Sequence, residues 1–276
     1  MNQKQPLNIS LKSDIIVKRV FWILLGLELL IVFLDLFVNH YEWTSIGSIR
    51  RMVNITREDS LANWFSSLQV IIVGVIIWLN AIAIKMQPSI VNSKRRLYCW
   101  ASIGSFFIYM GIDDAIKFHE RMGTAFRTVL ERVYASSGPG ILTSMYSAFP
   151  SYTWQMVFGP FFLAMGIFII WFLWKELASR KLWYMFITAI CLYAIAVGFD
   201  FVEGLDNDPY SEIARFFSTK TFRIRHISKT IEEFLEMFGT TFFLVAFLEN
   251  LFTLSQKWEI RIVKKLSATK NQPVDD

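Results

Sequence analysis

The sequence predicts an all-α protein: a polytopic transmembrane helix bundle of about six spans, with both termini in the cytoplasm. Two observations carry the fold class. Of 276 residues, 54% are hydrophobic and 18% charged, whereas a soluble domain carries about 25% charged residues. The apolar residues also gather in unbroken blocks of about 20, enough to cross a hydrocarbon core of about 30 Å at about 1.5 Å per residue. A membrane β-barrel would instead alternate apolar and polar residues in short segments.

Span 1 is read at about Val20–Val38 and span 2 at about Trp64–Ile84. Span 3 is about Leu97–Lys117 and span 4 about Trp154–Trp174. Span 5 is about Leu182–Glu203 and span 6 about Ile231–Phe252. Span 1 is longer than the apolar run of a signal peptide, and no small-x-small cleavage site follows it. Cys99 and Cys191 fall inside predicted helices and read as packing residues.

Basic residues orient the bundle. They are dense in the N-terminal tail (Lys4, Lys12, Lys18, Arg19), the 2–3 loop (Lys85, Lys94, Arg95, Arg96) and the 4–5 loop (Lys175, Arg180, Lys181). Their density assigns those segments to the cytoplasm, although the 5–6 loop also carries five basic residues, Arg215, Lys220, Arg223, Arg225 and Lys229. Residues 1–255 then form one membrane domain in the plasma (inner) membrane. Residues 256–276 form a cytoplasmic tail, first basic (KWEIRIVKKL) and then disordered. The lipid bilayer is the expected partner, and no nucleic acid is. In the long 3–4 loop, RMGTAFRTVLERVY has helical spacing and either extends span 3 or lies at the interface, before SSGPG breaks it. Gly159–Pro160 is expected to kink span 4.

With this orientation the acids collect at one level. GIDDAIKFHE brings Asp113, Asp114, His119 and Glu120 to the outer end of span 3. GFDFVEG brings Asp200 and Glu203 to the outer end of span 5, and KTIEEFLEMFG brings Glu232, Glu233 and Glu236 to the start of span 6. Span 2 opens with Glu58, Asp59, Ser66 and Ser67 there too. Span 1 adds Asp35 and, seven residues deeper on the same helical stripe, Glu28. Carboxylates in a membrane are costly, so they face the bundle interior, a partner or water.

Each group has a plain explanation beside the functional one. Glu232 and Glu233 suit a helix N-terminus, whereas Glu236 lies past the first turn. Asp200 and Glu203 sit at the end where the helix dipole is unfavourable. They call for a positive species: a metal, a proton, or Arg223 or Arg225. Asp113 and Asp114 can pair with Lys117 and Arg121, or act as an acid/base pair. Asp114 and His119 are five apart, so a straight helix cannot aim both at one ion. Asp113, Asp114 and Glu236 are the candidate catalytic groups, and His119, Asp200, Glu203 and Glu232 the candidate metal ligands. Carboxylate and imidazole donors suit a divalent metal such as zinc. His226, in FRIRHISK, is a weaker candidate ligand.

Three features together resemble a group of bacterial multi-pass membrane proteins of unassigned function. They are the acid-rich segment before Trp64-Phe65-Ser66-Ser67, the aspartate pair leading to His119-Glu120, and Glu232-Glu233 through Glu236-Met237-x-Gly239. Ser66 or Ser67, Asp113 or Asp114, and His119 also resemble part of the zinc site of alkaline-ceramidase-like membrane hydrolases. That family adds a late histidine pair and a seventh span. Here Glu232 and Glu236 occupy the last span instead. The expected function is therefore a membrane protein with an acidic outer site, metal-binding and hydrolytic on a lipid substrate. The alternatives are a proton- or cation-coupled transporter and a structural subunit.

Overall fold

The long apolar blocks become long helices. The computed structural model describes residues 13–86, 93–138, 140–177, 179–205 and 207–254, and all regular structure among them is helical. The expected tail at 256–276, with Lys4 and Lys12, lies outside the described residues.

Helix α1 (Ser13–Asp35) runs into a π-helical turn, Leu36–His40. Helix α2 (Gly47–Val53) leads to α3 (Leu61–Lys85), whose first turn is capped by Ser60, its hydroxyl accepting from Asn63 N at 3.2 Å. Next come α4 (Ser93–Ile116), α5 (Phe118–Ser137) and α6 (Ile141–Ala148). The chain ends with α7 (Thr153–Glu176), α8 (Arg180–Glu203), α9 (Pro209–Phe216) and α10 (Thr221–Thr253). Six of these coincide with the expected spans. The short helices α2, α6 and α9 were not legible as apolar blocks. Helix α7 runs unbroken past Pro160.

Among the described residues, four helices are long and apolar enough to cross a membrane: α1 with its π turn, α3, α7 and α8. Helices α4 and α10 are as long but carry more charge. They are also the most central. Helix α4 packs along α3, and α10 packs against α8, α3 and α1. The α3–α4 contact is backbone to backbone. A Cβ on Gly74 would lie 2.7 Å from the Gly104 carbonyl oxygen, and one on Gly104 would lie 3.0 Å from the Gly74 carbonyl. In a membrane, where lipid competes for apolar surface, such close approach between small residues drives helix association. Around it Val73, Ile77, Trp100, Ile103, Phe107, Phe243 and Phe247 form the apolar core.

Helix α1 is apolar outside and polar inside. Leu29, Leu30 and Phe33 are exposed, while Glu28 and Asp35 are fully buried. The expected stripe of two acids is therefore its packing face. Asp35 is saturated: Oδ1 accepts from Asn39 Nδ2 (3.0 Å) and Ile55 N (3.2 Å), and Oδ2 from Thr230 Oγ1 (3.2 Å). The fourth contact, 2.9 Å from Oδ2, is His226 Nε2. His226 thus ties α10 to α1 and stands apart from the candidate ligands.

At the end opposite the acids, Asn250 donates to Asn80 Oδ1 (2.8 Å), Arg96 pairs with Glu176 (2.6 Å) and Lys181 with Glu249 (2.8 Å). Gly74→Val should cost about 1–3 kcal/mol of stability, because the added atoms meet backbone that cannot move aside. Denaturant unfolding of the purified protein in mild detergent would measure it.

Candidate functional site

The helix read as span 3 does not continue through GIDDAIKFHE. It stops at Ile116, and Lys117 takes a left-handed backbone (φ 52°), which a non-glycine residue adopts at a cost. Helix α5 restarts at Phe118. The break folds His119 back over the end of α4. Its backbone N–H reaches Asp113 Oδ1 (3.0 Å), and its ring Nδ1 contacts Asp113 Oδ2. The ring packs edge-on to Trp154, with centroids 4.6 Å apart. The bend that would let His119 join a site is present, but it delivers the imidazole to Asp113. Asp114 points elsewhere, accepting from Ser67 Oγ of α3 at 2.7 Å.

Lys229, one turn before Glu232 and Glu233 on α10, occupies the centre of the acids. Its ammonium lies 2.6 Å from Glu232 Oε1, 3.8 Å from Glu203 Oε2, and 3.9 Å from both Asp200 Oδ1 and Glu233 Oε1. Asp200 also accepts from Gln155 Nε2 of α7 at 2.9 Å. Lys117, 3.2 Å from Glu120, faces Glu233 and Asp114 as well. Glu236 lies one turn deeper, in the field of Glu233, Asp114 and Glu232. Carboxyl groups thus outnumber the two ammonium groups at the core of the cluster, and Glu232 Oε2 is buried without a hydrogen-bond partner.

The cluster floors a cavity of about 370 Å³. Lys117, Lys229, Asp200, Glu203 and Glu233 line it, with Arg57, Glu58 and Arg127 at its sides. Tyr152, just ahead of α7, forms another wall. Burial first, then the negative charge of Glu203 and Asp200, pushes its phenol up to about 12, so it stays a neutral donor at physiological pH. On the loop before α3, Arg57 and then Arg51 hold the Asp59 carboxyl below its ordinary range.

Of the candidate metal ligands, Asp200, Glu203 and Glu232 are brought together, but around a lysine rather than an open position. His119 is not among the residues lining the cavity. Among the described residues no three His, Cys, Asp or Glu side chains are arranged to share a metal ion. Arg225, one of the positive groups offered for Asp200 and Glu203 beside a metal, a proton or Arg223, pairs with Asp208 at 3.0 Å. The residue overlooked in the sequence is Lys229. Its i,i+3 and i,i+4 spacing to Glu232 and Glu233 was the available signal.

Below the cluster, polar side chains continue inward. Tyr193 of α8 and Thr240 of α10 share a hydrogen bond of 2.6 Å. One residue on, Thr241 donates to Glu28 Oε1 (2.5 Å), which also accepts from Gln69 Nε2 (2.9 Å). From Lys229 to Thr241 the chain covers about 18 Å of helix. The apolar core then closes the way as far as Asn80 and Asn250.

Lys229→Gln should destabilise the fold by about 3 kcal/mol, because it strips a shared counter-ion from largely buried carboxylates. Adding Glu232→Gln should recover part of that loss. A double-mutant cycle by chemical unfolding checks both.

The model of a family described as "Domain of unknown function (DUF8692)" matches residues 21–251, from the first half of α1 to the end of α10. No curated protein and no solved structure matches the chain. The match takes in Glu28, Lys117, Lys229 and every carboxyl group of the cluster, and the chain belongs to the DUF8692 family.

Proposed function

We propose that this is a six-span plasma-membrane protein, termini inside, whose outward-facing acid cluster binds and exchanges protons or small cations. In this reading α4 and α10 cross the membrane with the four more apolar helices. The dense basic residues of the N-terminal tail, the 2–3 loop and the 4–5 loop orient the acidic end outward.

The single observation that carries the reading is the arrangement around Lys229. Four carboxylates from α8 and α10 converge on one tethered ammonium at the floor of a solvent-connected cavity. Such a site is selective for positive charge. Its own lysine is a movable competitor that an incoming cation can displace, and surplus acids can take up protons without leaving a bare buried charge. The polar side chains below, down to Glu28, lead from the cluster towards the middle of the bundle.

A second reading keeps the metal-dependent hydrolase of the ceramidase resemblance. It is favoured by the Ser67–Asp114 hydrogen bond, which joins a serine and an aspartate of the kind that resemblance pairs. It requires a rearrangement that frees His119 from Asp113 and moves Lys229 out of the carboxylates.

Purified protein reconstituted into liposomes with a trapped pH dye should carry protons, or protons against sodium or potassium, when a gradient is imposed. Glu236→Gln should bring the flux down to that of protein-free vesicles. If the wild-type protein moves none of these ions, the exchange reading falls. Stoichiometric zinc in the same preparation, lost together with stability in chelator, would put the hydrolase in its place.

A further inference from the structure

Glu28 is the one carboxyl group that sits near the middle of the most lipid-exposed helix and yet has no exposed surface. Its neighbours Leu27, Leu29 and Leu30 are all exposed. Three side chains from three helices meet there. Glu28 Oε1 accepts from Thr241 Oγ1 and from Gln69 Nε2, and Gln69 Nε2 also donates to Thr241 Oγ1 at 2.7 Å.

Counting donors and acceptors exposes a deficit. The threonine has one hydroxyl hydrogen, and it is spent on Glu28. The amide has two hydrogens, spent on Glu28 and Thr241. Two buried oxygens are then left over, Glu28 Oε2 and Gln69 Oε1, and neither has a partner. Both are acceptors, and they belong to two groups already joined by a hydrogen bond. Buried polar atoms in native proteins are satisfied, so a pair of orphan acceptors points to a missing donor.

The ligand that fits is small and brings one donor. A divalent metal or sodium ion would need more oxygens than the two left free, since hard cations take six or more. No lysine or arginine reaches Glu28 among the described residues. Of the ionisable groups on the packed helices, Tyr193 of α8 lies in the fields of Glu236, Asp114 and Glu28 together. On α3 the facing group is Gln69, which does not titrate.

We propose that Glu28 is a membrane-centred proton site, its Oε2 carrying an exchangeable proton, filled from the acid cluster through the Tyr193–Thr240 hydroxyl pair. Thr240 Oγ1 donates to the backbone carbonyl of Glu236 (2.8 Å) and contacts the Tyr193 hydroxyl, and the next residue of α10, Thr241, donates to Glu28. When a proton moves inward, an O–H bond on the cluster breaks and one on Glu28 Oε2 forms. One negative charge moves the opposite way, from Glu28 to the cluster beside Lys229. The site deepens the exchange reading and rests on it for the proton's route, but the occupancy of Glu28 can be read separately.

Infrared spectra of the full-length protein in liposomes test it. The wild type should show, at neutral pH, a protonated carboxyl C=O band that shifts in deuterium oxide. That band should be missing from Glu28→Gln, which keeps size and shape, and present in Thr240→Val with slower exchange. If the wild-type and Glu28→Gln spectra coincide in this region, or if the variant instead loses a carboxylate band, the proposal is overturned. Band present without proton flux keeps the site and removes the exchange reading. Flux unchanged in Glu28→Gln removes Glu28 from the route.

Discussion

The ammonium of Lys229 is the contact on which the acidic end depends. Acids at the C-terminal end of α8 and about three turns into α10, which begins at Thr221 and so leaves Glu232 and Glu233 far from its N-terminus, would repel one another and suffer from burial if left alone. One lysine placed among four of them offsets part of that repulsion inside a helix bundle. The lysine is itself poorly exposed, so neither partner is stable there without the other. A charge network of this kind is a weak source of stability compared with apolar packing. Its value is that it keeps charge available where charge is expensive.

The rest of the architecture protects that arrangement. The α3–α4 pair, drawn together at Gly74 and Gly104, forms a rigid wall that presents Ser67 to Asp114. The reversal at Lys117 ends α4 just where the acids begin. It removes Asp113 from the cluster by giving it His119, and turns Lys117 inward as the second ammonium. Helix α1 packs Phe21 against Phe238 and Phe242 and buries Val17. It is also held by its two acids, Asp35 against His226 and Thr230, and Glu28 against Gln69 and Thr241. In a lipid environment this is physically sensible. Leucine gains nothing by leaving lipid for protein, whereas a buried hydrogen bond has no competitor in the hydrocarbon.

Polar groups are therefore graded along the bundle. The cavity end is charged, the middle holds hydroxyl, amide and one carboxyl group, and an apolar block of aromatic and branched residues follows.

The helical class, the positions of the six long helices and the pooling of acids at one level were all readable in the sequence. Each follows from a local property: block length, helical rise and residue order. The seven-residue spacing of Glu28 and Asp35 was likewise enough to put both on one face. What the acids hold was not readable, because the answer lies in contacts between residues far apart in the chain. Asp200 and Lys229 are separated by α9 and its flanking turns, and Asp35 meets His226 from the other end of the protein. The reversal at Lys117 was hidden as well, since nothing in IDDAIKFHE breaks a helix by composition. It is held in place by the Asp113–His119 contact and the packing of α5 on α7. Sequence alone determined that positive charge must be supplied to a buried acidic cluster. Only the tertiary structure decided that lysine supplies it, because that choice is made by which side chains two packed helices, α8 and α10, bring within reach of one another.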